Sequence, residues 1–453
     1  MEPAPEIEIS HISFAAYLRL LGQNRNFRRL WSAQIVSEIG DWFYTLAIYT
    51  LLLQLTGRAG SVALALVLQV LPQTFVGPAA GVVNDRVRRK HVMIAADLAR
   101  MVIVLSMLLV RSRSTVWLVY PLLLAETVMA AFFEPARSSV IPNITSREDL
   151  VLANTLSSTT WSMNLVLGAS LGGLVAALLG RDAVFVLNAA SFLSSALLIR
   201  SMHFDEPHAD NATPLRLRDL VDYSPIGDGI RYMRGRVRLL ATVFVKAGMF
   251  VIGPSWVIFA VMGQHEFPVR WHGLDPQRGA MLGMSLLMGS RGVGALLGPL
   301  FSAPWAGHRD ERLRLGILGG YVAEALGYAA LGSAGSLGLA CLFVVIAHCG
   351  GSTVWVFSTT LLQLNTDDRF RGRVFAADLG LSMLTIAVGA YLAGRFMDWG
   401  ASAQEVARWA GLLMLLPAAG WAWAMKLWSG SESPGKPTTK VHEGIPGNQF
   451  PDP

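Results

Sequence analysis

Apolar runs of about twenty residues recur from roughly residue 29 to residue 428, with short polar breaks between them. A run of that length crosses the hydrocarbon of a bilayer, and lipid offers no partner for an unpaired backbone group. Such segments are therefore helices or the strands of a closed barrel. Barrel strands are shorter and alternate in polarity, whereas these runs are long and continuous. The chain is 53% hydrophobic and only 15% charged, where ordinary soluble domains run near about 25% charged. No polar segment is long enough to be a soluble domain. The expected class is an all-α polytopic membrane protein.

Twelve spans are expected, near 29–55, 61–83, 91–110, 115–138, 151–179, 183–201, 239–263, 277–304, 313–333, 337–363, 373–397 and 404–428. They form two sets of six. Residues 1–28 make an N-terminal segment, 29–201 a first six-helix bundle, 202–238 a polar central loop, 239–428 a second bundle, and 429–453 a disordered tail. The stretch FAAYLRLLGQNRNFRRLW has the pattern of an amphipathic helix lying along a membrane surface. No cleavable signal peptide is recognised in the opening residues. Cys341 and Cys349 lie eight residues apart on one span, too far along a helix for a disulfide. With His348 they are expected to be buried contacts, and no metal site is expected.

Lys and Arg in the short loops set orientation. Arg25, Arg28, Arg29, Arg86, Arg88, Arg89, Lys90, Arg309, Arg312, Arg314, Arg369, Arg371 and Arg373 fall on one side, together with the arginines of the central loop. The other side has only Arg58, Arg111, Arg113, Arg181, Arg270 and Arg278. The first side is expected to be cytoplasmic, with both termini on it. The net charge of +6 is thus a topology signal, and nucleic acid is not an expected partner.

The halves repeat one another. LPQTFVGPAAGVVNDRVRRKHVMI joins spans 2 and 3, and GALLGPLFSAPWAGHRDERLRLGI joins spans 8 and 9. Matching Gly77-Pro78 to Gly298-Pro299 gives an offset of 221, and matching Asn143 to Asn365 gives 222. Two agreeing offsets indicate a duplicated six-helix unit, with a central cavity between the copies.

The segment GVVNDRVRRK, Gly81 to Lys90, resembles motif A of the major facilitator superfamily, Gly-x-x-x-Asp-Arg-x-Gly-Arg-Arg. Here Arg88 stands for the second Gly and Lys90 for the last Arg. AAFFEPARSSVIPNITSREDLVLANTL, NRNFRRLW and IGDWFYTLAI resemble the branch that holds macrolide efflux pumps and the enterobactin exporter. GASLGG in span 5 resembles the exporter motif C at Gly168, Gly172 and Gly173, with Ala169 in place of its Pro. The resemblance covers roughly residues 25–428 and implies the major facilitator fold, two six-helix bundles related by a pseudo-two-fold. It further implies alternating access, and a gate made by Gly81, Asp85, Arg86 and Arg89 in which Asp85 meets the facing segment Arg373 to Gly380. Gly168, Gly172 and Gly173 would be helix-packing positions.

Span 1 carries Gln34, Ser37, Glu38, Asp41, Tyr44 and Thr45 at spacings that put them on one helix face. A polar stripe on a membrane helix faces the protein interior or a water-filled cavity. Glu126 of span 4 lies at similar depth. Acids held there bind a proton or a cationic substrate, so Asp41 and Glu126 lead as proton or substrate sites, with Glu38 third. A structural polar network around Gln34 or Ser37 is the alternative for Glu38 and Asp41. Asp97 with Arg100, and Glu134 with Arg137, are expected to neutralise each other at i, i+3. Arg291 in span 8 suits a counter-ion to the acids, a contact for an anionic substrate, or a partner for Glu324, and the sequence leaves these open.

No HExxH, GxSxG or Walker sequence is present, so an enzyme is not expected. The expectation is a proton-coupled exporter of a hydrophobic or amphipathic small molecule of drug or siderophore type. Its energy source would be the proton gradient, without a cofactor. It would work as a monomer in a bacterial inner membrane, in contact with membrane lipid. A lysophospholipid flippase of the same fold and a non-transporting sensor are the alternatives.

Overall fold

The computed structural model describes residues 14–146, 149–210, 224–270, 275–307 and 309–431. The described residues are helical throughout their regular structure and include no strand. The tail expected beyond Ser429 lies almost wholly outside them, as does the middle of the central loop.

A short helix, Phe14–Gln23, precedes span 1 and buries Leu20. Asn24 then caps the long helix Arg25–Thr56 by accepting from the Phe27 amide at 2.9 Å. The same side chain donates to the Ile144 carbonyl at 2.6 Å, tying the start of span 1 to the end of span 4. Gly57, at φ 68, ends the helix in the left-handed conformation that glycine adopts without strain. Spans 2 to 6 are Ala59–Arg86, Arg89–Ser106, Val119–Ile144, Leu150–Leu179 and Arg181–Arg200.

In the second half, span 7 is broken into Val237–Gly248 and Ile252–Val261. Pro254 lacks an amide hydrogen, and Gly253 lies so close to span 11 that a Cβ would strike the Ile386 carbonyl. Spans 8 to 11 are Pro276–Ala306, Asp310–Leu331, Leu337–Asn365 and Asp368–Asp398. Span 12 is Ala403–Leu413 followed by Leu415–Ser431. Nine of the described helices are long and apolar enough to cross a membrane. The helices of spans 1, 5 and 9, with 32, 30 and 22 residues, pack among them.

The duplication seen in the sequence reappears in the packing. Span 2 lies against spans 4 and 11, and span 8 against spans 10 and 5. Span 1 lies against spans 5 and 6, and span 7 against spans 11 and 12. Span 3 packs on spans 4 and 6, and span 9 on spans 10 and 12. Adding six to each span number, counted round a ring of twelve, converts one half's pairings into the other's. The two pairs 2/11 and 5/8 join the halves.

Spans 2 and 11 touch at the face away from the termini. A Cβ on Gly394 would meet Ala63 at 2.6 Å and Gly60 at 2.9 Å, and the Gly60 amide donates to Asp398 at 3.3 Å. Further along, a Cβ on Gly380 would find Thr74 at 3.2 Å. At Gly77 and Gly81 nothing lies within 4 Å. Spans 5 and 8 meet where Gly173 faces Ser285, Gly289 faces Ser170 and Gly292 faces Val166, and the Ser285 hydroxyl donates to the Ser170 carbonyl at 3.1 Å. The halves are thus closed at the far face and spread toward the face that bears the termini.

Candidate translocation site

Between the spread halves lies a cavity of about 390 Å³. Span 1 contributes its polar stripe from Ser37 onward to the wall, with Glu38, Asp41, Tyr44 and Thr45, and adds Tyr49, while Gln34 is buried outside the lining. The stripe faces inward because the opposite side of that helix is apolar. Span 2 adds Gln69 and Gln73, span 4 adds Glu126, Thr127 and Glu134, and Trp256 of span 7 represents the second half. Tyr49 donates to Gln69 at 2.6 Å.

Arg100 of span 3 sits at the centre of the acids. Its Nη2 lies 2.7 Å from Asp41 Oδ2 and 2.8 Å from Glu126 Oε1, and its Nε donates to the same Glu126 oxygen at 2.9 Å. Asp97, the i−3 neighbour expected to neutralise it, stands off at 3.9 Å. The guanidinium rests 4.0 Å above the ring of Phe192 from span 6. Asp41 is 32% exposed to the cavity, whereas Asp97 is fully buried. Buried atoms without a hydrogen-bond partner cluster here: Asp41 Oδ1, the Tyr44 hydroxyl and both Asp97 oxygens. The sequence brought forward Asp41 and Glu126 but assigned Arg100 to Asp97. A mid-depth arginine on a span between those of two mid-depth acids was the signal that would have found the bridge.

Glu38 belongs to a second network. It accepts from Gln34 at 2.8 Å and from Asn164 of span 5 at 2.8 Å. Gln34 in turn accepts from Arg137 at 2.9 Å, and Arg137 pairs with Glu134 at 2.8 Å. The expected Glu134–Arg137 pair is therefore present, and Glu38 has the Gln34 contact of a structural network. All its described hydrogen-bond partners are neutral amides.

Arg291 donates to the Ser255 hydroxyl at 3.3 Å and lies 4.6 Å from the Trp256 ring. It makes no ion pair with Glu324 within 4 Å, and both Glu324 oxygens lack hydrogen-bond partners. The second half's tight buried ion pair is instead Lys246 with Asp378, at 2.5 Å. Trp256 stacks on Trp42 across the halves, with centroids 5.6 Å apart and planes 5° from parallel. This stack forms the cavity wall beside Asp41.

The profile of the transmembrane secretion effector family of major facilitators matches residues 20–444. The chain belongs to the major facilitator superfamily. Among the relatives of this facilitator is macrolide efflux protein A of Streptococcus pyogenes, 24% identical, with 82% of this chain and 89% of that protein covered. Another is the uncharacterised transporter YfiS of Bacillus subtilis, 26% identical over 84% of this chain and 88% of that one. The class C tetracycline resistance protein of Escherichia coli is 26% identical over 78% and 83%. A bacterial homologue of the human lysosomal transporter Spinster, solved inward-facing and unoccupied, shares the fold at 14% identity and a TM-score of 0.64, covering 91% of this chain and all of that one. The facilitator is accordingly a multi-pass membrane transporter and not an enzyme.

In this facilitator the motif A carboxylate does not reach the second half. Asp85 is 78% exposed, with Arg89 the nearest base at 3.9 Å. Arg89 is bound into its own half, to the Asn84 and Ser139 carbonyls at 3.3 and 3.0 Å. Arg86 also makes a polar contact. Within the facing segment Arg373 to Gly380, Asp378 turns inward to Lys246. The motif C glycines are packing positions: Gly168 fits against Trp42 and Gly172 against Phe43 and Leu46, both on span 1, while Gly173 fits against Ser285 of span 8.

Proposed function

We propose that this facilitator exports a hydrophobic or amphipathic small molecule in exchange for protons, by alternating access. The observation that carries the reading is the charge count around Arg100, at and just behind the cavity wall. Asp41, Glu126 and Asp97 share the single guanidinium of Arg100. With all three ionised, two negative charges stay uncompensated in a poorly solvated interior, which is costly. A proton or the cationic group of a substrate relieves that cost, and competition for the same acids couples the two fluxes. The named activities of the macrolide and tetracycline relatives support export of a drug-sized compound. The basic loops support a bacterial inner-membrane setting with both termini cytoplasmic, which makes the present conformation the inward-open one. Transport by a monomer, in contact with lipid and without a cofactor, completes the reading.

The test is proteoliposomes under a pH gradient, with proton movement recorded on addition of macrolides, tetracyclines, cationic dyes, siderophores and lysophospholipids. Substrate-triggered proton flux that disappears in Asp41→Asn is the expected result. Substrate movement without proton flux would overturn the exchange, and movement of lysophospholipid alone would replace the export reading with lipid flipping.

A further inference from the structure

Arg100 has three carboxylates within reach and holds two of them. Asp97 is fully buried, its polar neighbour on span 6 is the neutral Ser195 hydroxyl, and the guanidinium stops 3.9 Å short of it. An ionised carboxylate left in that state is among the least favourable arrangements a protein interior can hold. Asp97 and Arg100 are i, i+3 on one helix, so no movement of the spans separates them. Beneath the guanidinium, the Phe192 ring is a flat apolar surface that offers no competing hydrogen bond.

The surroundings are otherwise neutral. Span 1 presents Asp41 and Tyr44, and span 4 presents Glu126. Span 6 presents Asn188, Ser191 and Ser195, none of them ionisable. The ionisable residues of span 2, Asp85 and Arg86, lie at its terminus-side end. Glu38 and Glu134 are held by the Gln34–Arg137 network further along the cavity.

We propose that Asp97 is a second seat for the Arg100 guanidinium. Arg100 is then a tethered cation that fills the Asp41–Glu126 site when nothing else does. When a proton or the positive group of a substrate takes those acids, the guanidinium swings over Phe192 onto Asp97 and satisfies its open oxygens. Asp97 is a positioning residue: it touches no substrate, and it lowers the cost of vacating the site. Its role in transport rests on the exchange reading above, whereas the swing itself is measurable without any substrate.

The experiment is a cryo-electron-microscopy structure of the Asp41→Asn/Glu126→Gln variant, in which both acids are neutral as they would be when protonated. The expected result is an Arg100–Asp97 separation shortened from 3.9 Å to about 2.8 Å. A guanidinium still lying between positions 41 and 126, with Asp97 as far away as before, overturns the proposal. A thermal-unfolding cycle gives a second reading. Asp97→Asn should lower the midpoint in the neutralised background but not in the parent, since only there does Asp97 hold the guanidinium, and Asp97→Glu should restore it. Equal falls in both backgrounds overturn the seat. Absence of proton flux from the parent protein would instead overturn the exchange reading and leave the seat standing.

Discussion

Removing Arg100 leaves Asp41, Asp97 and Glu126 facing one another without a cation. Breaking a buried ion pair by deleting one partner costs about 3–5 kcal/mol, so Arg100→Leu should lose stability on that scale in a detergent-solubilised melt. Arg100→Lys keeps the charge but loses the fork that reaches two acids at once, and should fall between the two. A melt in which Arg100→Leu matches the parent would remove the guanidinium from the centre of the site. Asp41 and Glu126 were legible in the sequence because an acid in a membrane span is expensive wherever it points. Their partner was not. The local pairing of Arg100 with Asp97 is three residues away, whereas the pairings the fold makes reach 59 and 26 residues along the chain. Glu38 shows the same limit: its bond to Gln34 is local and foreseeable, its bond to Asn164 is not.

Among the elements, the seam between spans 2 and 11 carries the conformational information. Its closed end is built from Gly60, Ala63 and Gly394, with the Asp398 carboxylate receiving the Gly60 amide at the start of span 2. Arg58 at that helix start offers no side-chain cap of its own, so the cap comes from the other half. Losing a cap costs about 0.5–2 kcal/mol, and Asp398→Ala should shift the population toward a far face that is open. Thiol labelling of a cysteine introduced at Gln54, which lines the far-face cleft, would rise; unchanged labelling would dismiss the clasp. A second corner sits on the terminus side, where Arg236 reaches Asp367 at 3.1 Å and stacks over Tyr232 at 4.0 Å. The Tyr232 hydroxyl and the Arg236 guanidinium hold the Asp367 carboxyl below the usual carboxylate range. A depressed acid gives stability that is present above its unfolded value and lost as pH falls through its folded one. Amide protection in the helix Ser224–Arg234, relative to the intrinsic exchange rate at each pH, should therefore fall in acid, and Asp367→Asn should abolish that pH response.

At the scale of the whole molecule, the all-helical membrane fold was legible because lipid enforces long apolar runs, and the repeat because a duplication leaves a constant offset. How far the halves lean apart was not, since it depends on contacts between spans that are nine and three places apart in order. Motif A was recognisable in the sequence, whereas the Asp85 contact with the facing segment expected from it is not made in this structure. Asp85, exposed here, should matter when the terminus-bearing face closes. Asp85→Asn is expected to slow turnover and to raise labelling of cysteines on that face, and a variant unchanged in both would show the residue to be incidental. The Trp42–Trp256 stack has a consequence of another kind. Two indoles face to face at 5.6 Å share their excited state, and each is anchored in a different half. Trp256→Phe should therefore remove the pair's contribution to the near-ultraviolet circular dichroism, and that band then reports, without a label, on the distance between the halves; a spectrum unchanged by the substitution would show the indoles uncoupled.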